Sequence, residues 1–148
     1  IHTRLPVVIP NRITKGLVSL LNNSRLKATM VFHINHGNEI DDSLVNALEP
    51  LKAARIPIFN QSVMLKGVND NAKTLITLCE KAFDSGIMPY YLHLFDPVQG
   101  AAHFDVKEER AIKIVNEMLS ILPGFLMPKL VRELAGQANK TPINLTLN

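Results

Sequence analysis

At 148 residues, 47% of them hydrophobic and 20% charged, the chain is long enough for one ordinary domain with a sizeable core, and its composition excludes a disordered polymer. No run of about 18 apolar residues occurs, so no membrane-spanning helix is expected, and the start lacks the basic and apolar regions of a signal peptide. The formal charge of +3 comes from sixteen Lys and Arg spread without clusters, and aromatics are only 5%, so direct nucleic-acid binding is not expected.

Candidate strands alternate with candidate helices, the pattern of parallel βα units and of an α/β fold. Residues 1–4 read as a strand end, and apolar residues at Ile13, Leu17, Leu20 and Leu21 give 13–22 a helical period. Residues 28–33 read as a buried strand. Asp41 and Asp42 can cap a helix running to about Arg55, with Leu44, Val45, Leu48 and Leu51 on one face. Residues 56–60 follow as a strand, and Asn69 or Asp70 opens a helix that ends near Ser85-Gly86, where glycine can turn left-handed. A strand over 90–95, an amphipathic helix over 107–122 stopped by Pro123-Gly124, and a short strand over 130–134 complete the series. The chain opens on Ile1-His2-Thr3-Arg4 without a methionine, which reads as a cut inside a longer protein. The single Cys79 excludes an internal disulfide framework and fits a reducing, cytoplasmic setting.

Polar residues gather at the C-terminal ends of these strands: Arg4, then His33, Asn35 and His36, then Asn60 and Gln61, then Asp96, then Glu133. In α/β barrels every such end points into one mouth, where active sites are built. His33 and His36 have zinc-ligand chemistry, but side chains three apart at a strand end diverge, so capping or ligand hydrogen bonding is expected of them and no metal site. Asp96 and Glu133 make the better pair, since two carboxylates at neighbouring strand ends can receive one ammonium group and offset its desolvation. Lys140, beside the turn residues Thr141-Pro142, can carry a carbonyl group as a Schiff base, although a lysine in that local pattern is ordinarily solvated. No glycine-rich phosphate loop is present.

The runs Ile1-His2-Thr3-Arg4, Pro6-Val7-Val8-Ile9-Pro10-Asn11-Arg12-Ile13-Thr14 and His33-Ile34-Asn35-His36 come first in chain order. Asn60-Gln61-Ser62-Val63-Met64-Leu65-Lys66-Gly67-Val68-Asn69-Asp70, Pro89-Tyr90-Tyr91-Leu92-His93, Gln99-Gly100, His103-Phe104 and Lys140-Thr141-Pro142 follow. Together they resemble the lysine 2,3-aminomutase family of radical S-adenosylmethionine enzymes, over essentially the whole chain. Within the family they look closest to the members that make (R)-β-lysine for attachment to elongation factor P. The resemblance implies a partial (β/α) barrel containing only the C-terminal βα units, with residues 1–148 forming the C-terminal portion of that barrel plus the pyridoxal-phosphate lysine segment. It implies an amino-group-shifting isomerase, an intramolecular aminotransferase that converts lysine to β-lysine.

The same resemblance assigns Lys140 to pyridoxal phosphate, Asp96 and Glu133 to the substrate's side-chain ammonium, and His33, Gln61 and Arg4 to S-adenosylmethionine. The CxxxCxxC motif that binds the family's four-iron, four-sulfur cluster is absent, so the cluster ligands are expected outside this chain, in a missing N-terminal part, and the chain alone is expected to be inactive. Gly37 stands where family members usually carry proline, Glu133 where aspartate is often found, and the glycine-rich approach to the lysine is reduced to Gly136-Gln137-Ala138-Asn139. The implied partners are lysine, the rest of the same protein, the elongation factor P pathway and, compatibly, a second copy in a homo-oligomer. Three other readings stand beside this one. A catabolic lysine 2,3-aminomutase shares the chemistry, an aldolase-type barrel would use Lys140 without a radical, and a binding domain would recognise an amine without reaction.

Overall fold

The computed structural model describes residues 1–96 and 100–146. Six strands form one sheet in chain order: β1 (His2–Thr3), β2 (Met30–His33), β3 (Ile58–Val63), β4 (Met88–His93), β5 (Lys129–Arg132) and β6 (Thr141–Pro142). The first five are parallel, and β6 returns antiparallel to β5. The helices are α1 (Leu5–Val8), α2 (Lys15–Asn22), α3 (Asp42–Ala53), α4 (Ala72–Asp84) and α5 (Glu108–Leu119). Parallel strands need crossovers, and crossovers share one hand, so a sheet whose neighbours follow chain order carries its helices on one face. The result is an open arc of a βα barrel, as expected, with the other face left for the site.

Alternation along the strands sorts the two faces. Phe32 and Leu92 have no exposed surface and Ile58 and Leu130 are buried among the helices. Two apolar clusters result. One joins Leu44, Leu48 and Leu51 of α3 to Phe32 and Ile87, and the other joins Ile112, Val115 and Met118 of α5 to Leu92 and Leu130. Helix α4 serves both, giving Leu75 and Cys79 to one and Leu78 and Ala82 to the other, so it ties the halves of the arc together. Burying each such leucine contributes about 1.5–3 kcal/mol.

The helix boundaries have local causes. Thr14, Asp41 and Asn71 accept hydrogen bonds from the backbone N–H of Leu17, Leu44 and Thr74 at 3.1, 2.9 and 2.9 Å. Helix α4 therefore starts later than Asn69 or Asp70, because both side chains are already engaged: Asn69 Oδ1 takes the Leu65 N–H and Asp70 Oδ1 takes that of Gly67. Gly86, at φ +84, closes α4 as expected. Helix α3 closes on Arg55 at φ 54, a left-handed position held by a side-chain-bearing residue. Helix α5 is shorter than expected, since the Ser120 hydroxyl donates to Glu117 O at its end. Helix α1 and the antiparallel strand β6 were not anticipated.

Candidate active site

The helix-free face of the sheet carries imidazoles and a carboxamide, where the other face carries hydrocarbon and, near the strand ends, Asn60 and Ser62. Register pairs His33 with Gln61 and Val63 with His93, and His2 with Val31, so His2, His33, Gln61 and His93 point to the same side. The His2 ring lies 6.2 Å from that of His33, and His2 Nδ1 meets Gln61 Oε1 at 3.1 Å. His33 Nε2 and His93 Nε2 are buried without a hydrogen-bond partner. Burial holds both imidazoles neutral. His33 is lowered by burial and then by the charges of His2, Arg4 and Lys140, and His93 is lowered to about 4 by burial, then Lys140, against the opposing pull of Asp96.

Behind this row, on the helix side, the strand ends are locked by amides. Asn60 Oδ1 accepts the Ile34 N–H at 2.9 Å, and Asn60 Nδ2 and the Ser62 hydroxyl both donate to Ile34 O. Asn35 Oδ1 accepts from Val63 N, while Asn69 Nδ2 donates to Asn35 O and Val63 O. His36 caps the turn Gly37–Glu39, accepting from Asn38 N, and Glu39 Oε1 accepts the N–H groups of Asn35 and His36 at 2.7 and 2.9 Å. His36 is thus a cap, as its place at a strand end suggested. Gly37 leaves room for the stem of Lys81, whose Nζ donates to Gly37 O, and an added Cβ would lie 3.2 Å from that stem. Arg4 is tied to Glu39 by a 2.7 Å ion pair, so its guanidinium is committed at the rim of β2.

At the far end of the arc the hairpin decides the geometry. Arg132 pairs with Thr141, so the next residues inward along the turn, Glu133 and Lys140, face each other across the strands, and their side chains form an ion pair. Gly136 at φ +81 and the Gln137 N–H to Leu134 O bond shape the connecting loop. Lys140, Glu133, His2, Tyr90 and Tyr91 line a cleft of about 370 Å³, with the two tyrosine rings 3.8 Å apart. Glu133 also borders a cleft of about 300 Å³ with Asp96, Gln61, Asn35 and His93.

The structure therefore brings Lys140, Glu133, Asp96 and Gln61 to one mouth and sets His33 beside Gln61, while Arg4 sits at the rim. Sequence reasoning missed His2, His93 and the tyrosine pair. Unbroken alternation from the Asn60–Pro89 pair would put Tyr90 and Leu92 on the Gln61 side, but β4 slips register between Pro89 and Tyr91 and brings Tyr91 and His93 there instead. Among the described residues no three His, Cys, Asp or Glu side chains gather as a metal would require. Cys79 is buried, its thiol pushed up to about 12 by burial and then by Glu80, so it is no metal ligand. No helix among them is long and apolar enough to cross a membrane. Gln99, part of one resemblance motif, lies outside the described residues.

No protein-family model matches the chain. It is 50% identical over 147 residues to L-lysine 2,3-aminomutase of Escherichia coli, which covers 99% of this chain and 43% of that protein. The Haemophilus influenzae L-lysine 2,3-aminomutase is 53% identical over 95% of the chain and 42% of its own length, and that of Clostridium subterminale is 34% identical over 97% and 34%. Among solved structures, a radical SAM methyltransferase from Sphaerobacter thermophilus superposes with a TM-score of 0.58 at 11% identity, covering 79% of this chain and 37% of that one, a likeness of fold. The chain spans less than half the length of the curated relatives it matches, and over nearly all of its own length it is similar to proteins named L-lysine 2,3-aminomutase.

Proposed function

We propose that this chain is the C-terminal part of a radical S-adenosylmethionine isomerase that converts lysine to β-lysine, the two acids Asp96 and Glu133 receiving the substrate's side-chain ammonium. The observation that supports it best is the convergence of an amine, Lys140, and the two acids at one mouth, beside an aromatic-walled cleft. Pyridoxal phosphate fits there. Lys140 is the nucleophile for its aldehyde, and Tyr90 and Tyr91 present flat rings to an aromatic cofactor. When bound, the cofactor would supply an aldehyde conjugated to an aromatic ring able to delocalise an unpaired electron. S-adenosylmethionine fits the His33–Gln61 side, where an unpartnered imidazole nitrogen and a carboxamide offer hydrogen bonds to a nucleoside.

The iron–sulfur cluster does not fit any residue present, since the one cysteine is sealed in the core. Its ligands belong to a missing N-terminal part, and without it the chain is inactive. Arg4 borders the same side and stays with Glu39. What the residues here do is bind and orient. Asp96 and Glu133 would fix the far end of the substrate and so set where its β-carbon lies, with no proton transfer required of either acid.

The product goes to elongation factor P, in a cytoplasmic setting. A catabolic role for free β-lysine is the second reading, with the same residues. Anaerobic turnover of lysine by the full-length protein tests the proposal: β-lysine forms, Lys140→Ala abolishes both it and the visible absorbance of the bound cofactor, and Asp96→Asn raises KM for lysine by about tenfold or more. Activity in Lys140→Ala equal to that of the parent would refute it.

A further inference from the structure

We infer that Glu133 is a shared seat for two ammonium groups: it holds that of Lys140 in the ligand-free protein, and an amine ligand reaching for Asp96 and Glu133 has to displace it. The inference rests on the proposed reading of these acids as the ammonium-receiving pair and divides their labour. Glu133 and Lys140 are brought together by the ladder itself, one step beyond the Arg132–Thr141 pair, so their proximity does not depend on a chosen rotamer. Lys140 lines the cleft of the tyrosines, and Asp96 lines the clefts on the other side. Glu133 borders all three. Its carboxylate is therefore the wall between an amine of the protein and the place where an amine of the ligand would come.

Two ammonium groups on one carboxylate repel, so each weakens the other's hold. Among the described residues Asp96 has no hydrogen bond or ion pair, whereas Glu133 has one, to Lys140. Asp96 is then the standing acceptor and Glu133 the conditional one. Whatever engages the Lys140 nitrogen releases Glu133 to the ligand, and by reciprocity a bound amine ligand favours engagement of Lys140. Loading of the lysine and binding of the amine are coupled through one carboxylate.

The test is calorimetric binding of lysine to the full-length protein without cofactor. Lys140→Met is expected to tighten binding by about threefold, the scale of a half-exposed ion pair, and Lys140→Gln to do the same. Asp96→Asn weakens binding by about tenfold. Lys140→Met added to Glu133→Gln gives no further gain, because the contested seat is already gone. No tightening in Lys140→Met while Asp96→Asn still weakens binding overturns the shared seat and leaves the ammonium pocket standing. A gain that survives in the Glu133→Gln background is a general charge effect and overturns it equally. If Asp96→Asn and Glu133→Gln both bind lysine like the parent, the pocket itself is wrong and the shared seat falls with it.

Discussion

His33 and Gln61 stand on strands clamped from behind by Asn60, Ser62 and Asn69, all buried, whereas Glu133 and Lys140 stand on a short hairpin and are linked by their own partly exposed ion pair. The two ends of one mouth are thus held by different physics. In the arc, Asn60 and Asn69 use both ends of their amides on the backbone of Ile34, Leu65, Asn35 and Val63, and Asn35 Oδ1 accepts from Val63 N, so the strand ends behind the imidazole row are braced by the protein itself. In the hairpin the charged groups can exchange partners at small cost. On the proposed reading, the braced edge would place a nucleoside and the hairpin edge would trade ammonium groups.

The largest effect that could break this contrast is at Asn69. Asn69→Ala leaves the Leu65 N–H and the carbonyls of Asn35 and Val63 unpaired, and is expected to cost on the order of 3 kcal/mol in urea unfolding. Glu133→Gln is expected to cost under about 1 kcal/mol. Equal losses in the two variants would erase the distinction between clamp and hairpin.

Acid sharpens it next. His93 is 5% exposed and lowered from 6.5 to about 4 by burial, with Lys140, Asp96, His33 and His2 facing it. The unfolded imidazole takes up a proton that the folded one refuses, so its contribution is complete above pH 6.5 and is lost as pH falls toward 4. The loss from this group is on the order of 3 kcal/mol, followed by thermal melts across that window, and His93→Gln flattens the dependence. A melt as steep in His93→Gln as in the parent would place the acid sensitivity elsewhere.

The smallest expected change lies away from the mouth. Arg55→Gly relieves the left-handed position that ends α3 and raises stability by about 0.5 kcal/mol, the gain being reduced by the freedom glycine adds to the unfolded chain. A loss on this substitution would mean that the Arg55 side chain contributes packing that outweighs its backbone strain.

The sequence was most legible where periodicity and caps agree. The helices over residues 42–53 and 72–84 follow from apolar spacing and from Asp41, whereas the strand between them, expected over 56–60, runs Ile58–Val63, and α4, expected to open at Asn69 or Asp70, is capped by Asn71. The start of α4 depends on where a side chain turns, inward for Asn69 and outward for Asn71, which no local pattern encodes. The convergence of Lys140 with Glu133 was not legible from spacing, because seven positions of loop-like sequence do not announce a hairpin with a two-residue strand. The acids were expected as equal partners. Their difference appears only when the ladder is drawn, since among the described residues Glu133 has a cation opposite and Asp96 has none. His93 and Tyr91 were hidden by the slip in register that moves them onto the Gln61 side.

The central claim is that Lys140 is the amine that holds the carbonyl cofactor beside the two acids. Borohydride reduction of the anaerobically purified full-length protein, loaded with pyridoxal phosphate and then mapped by peptide mass spectrometry, tests it most directly. The account predicts the reduced pyridoxyl adduct on the peptide containing Lys140 and its disappearance in Lys140→Ala. An adduct on a different lysine, retained in that variant, would contradict it.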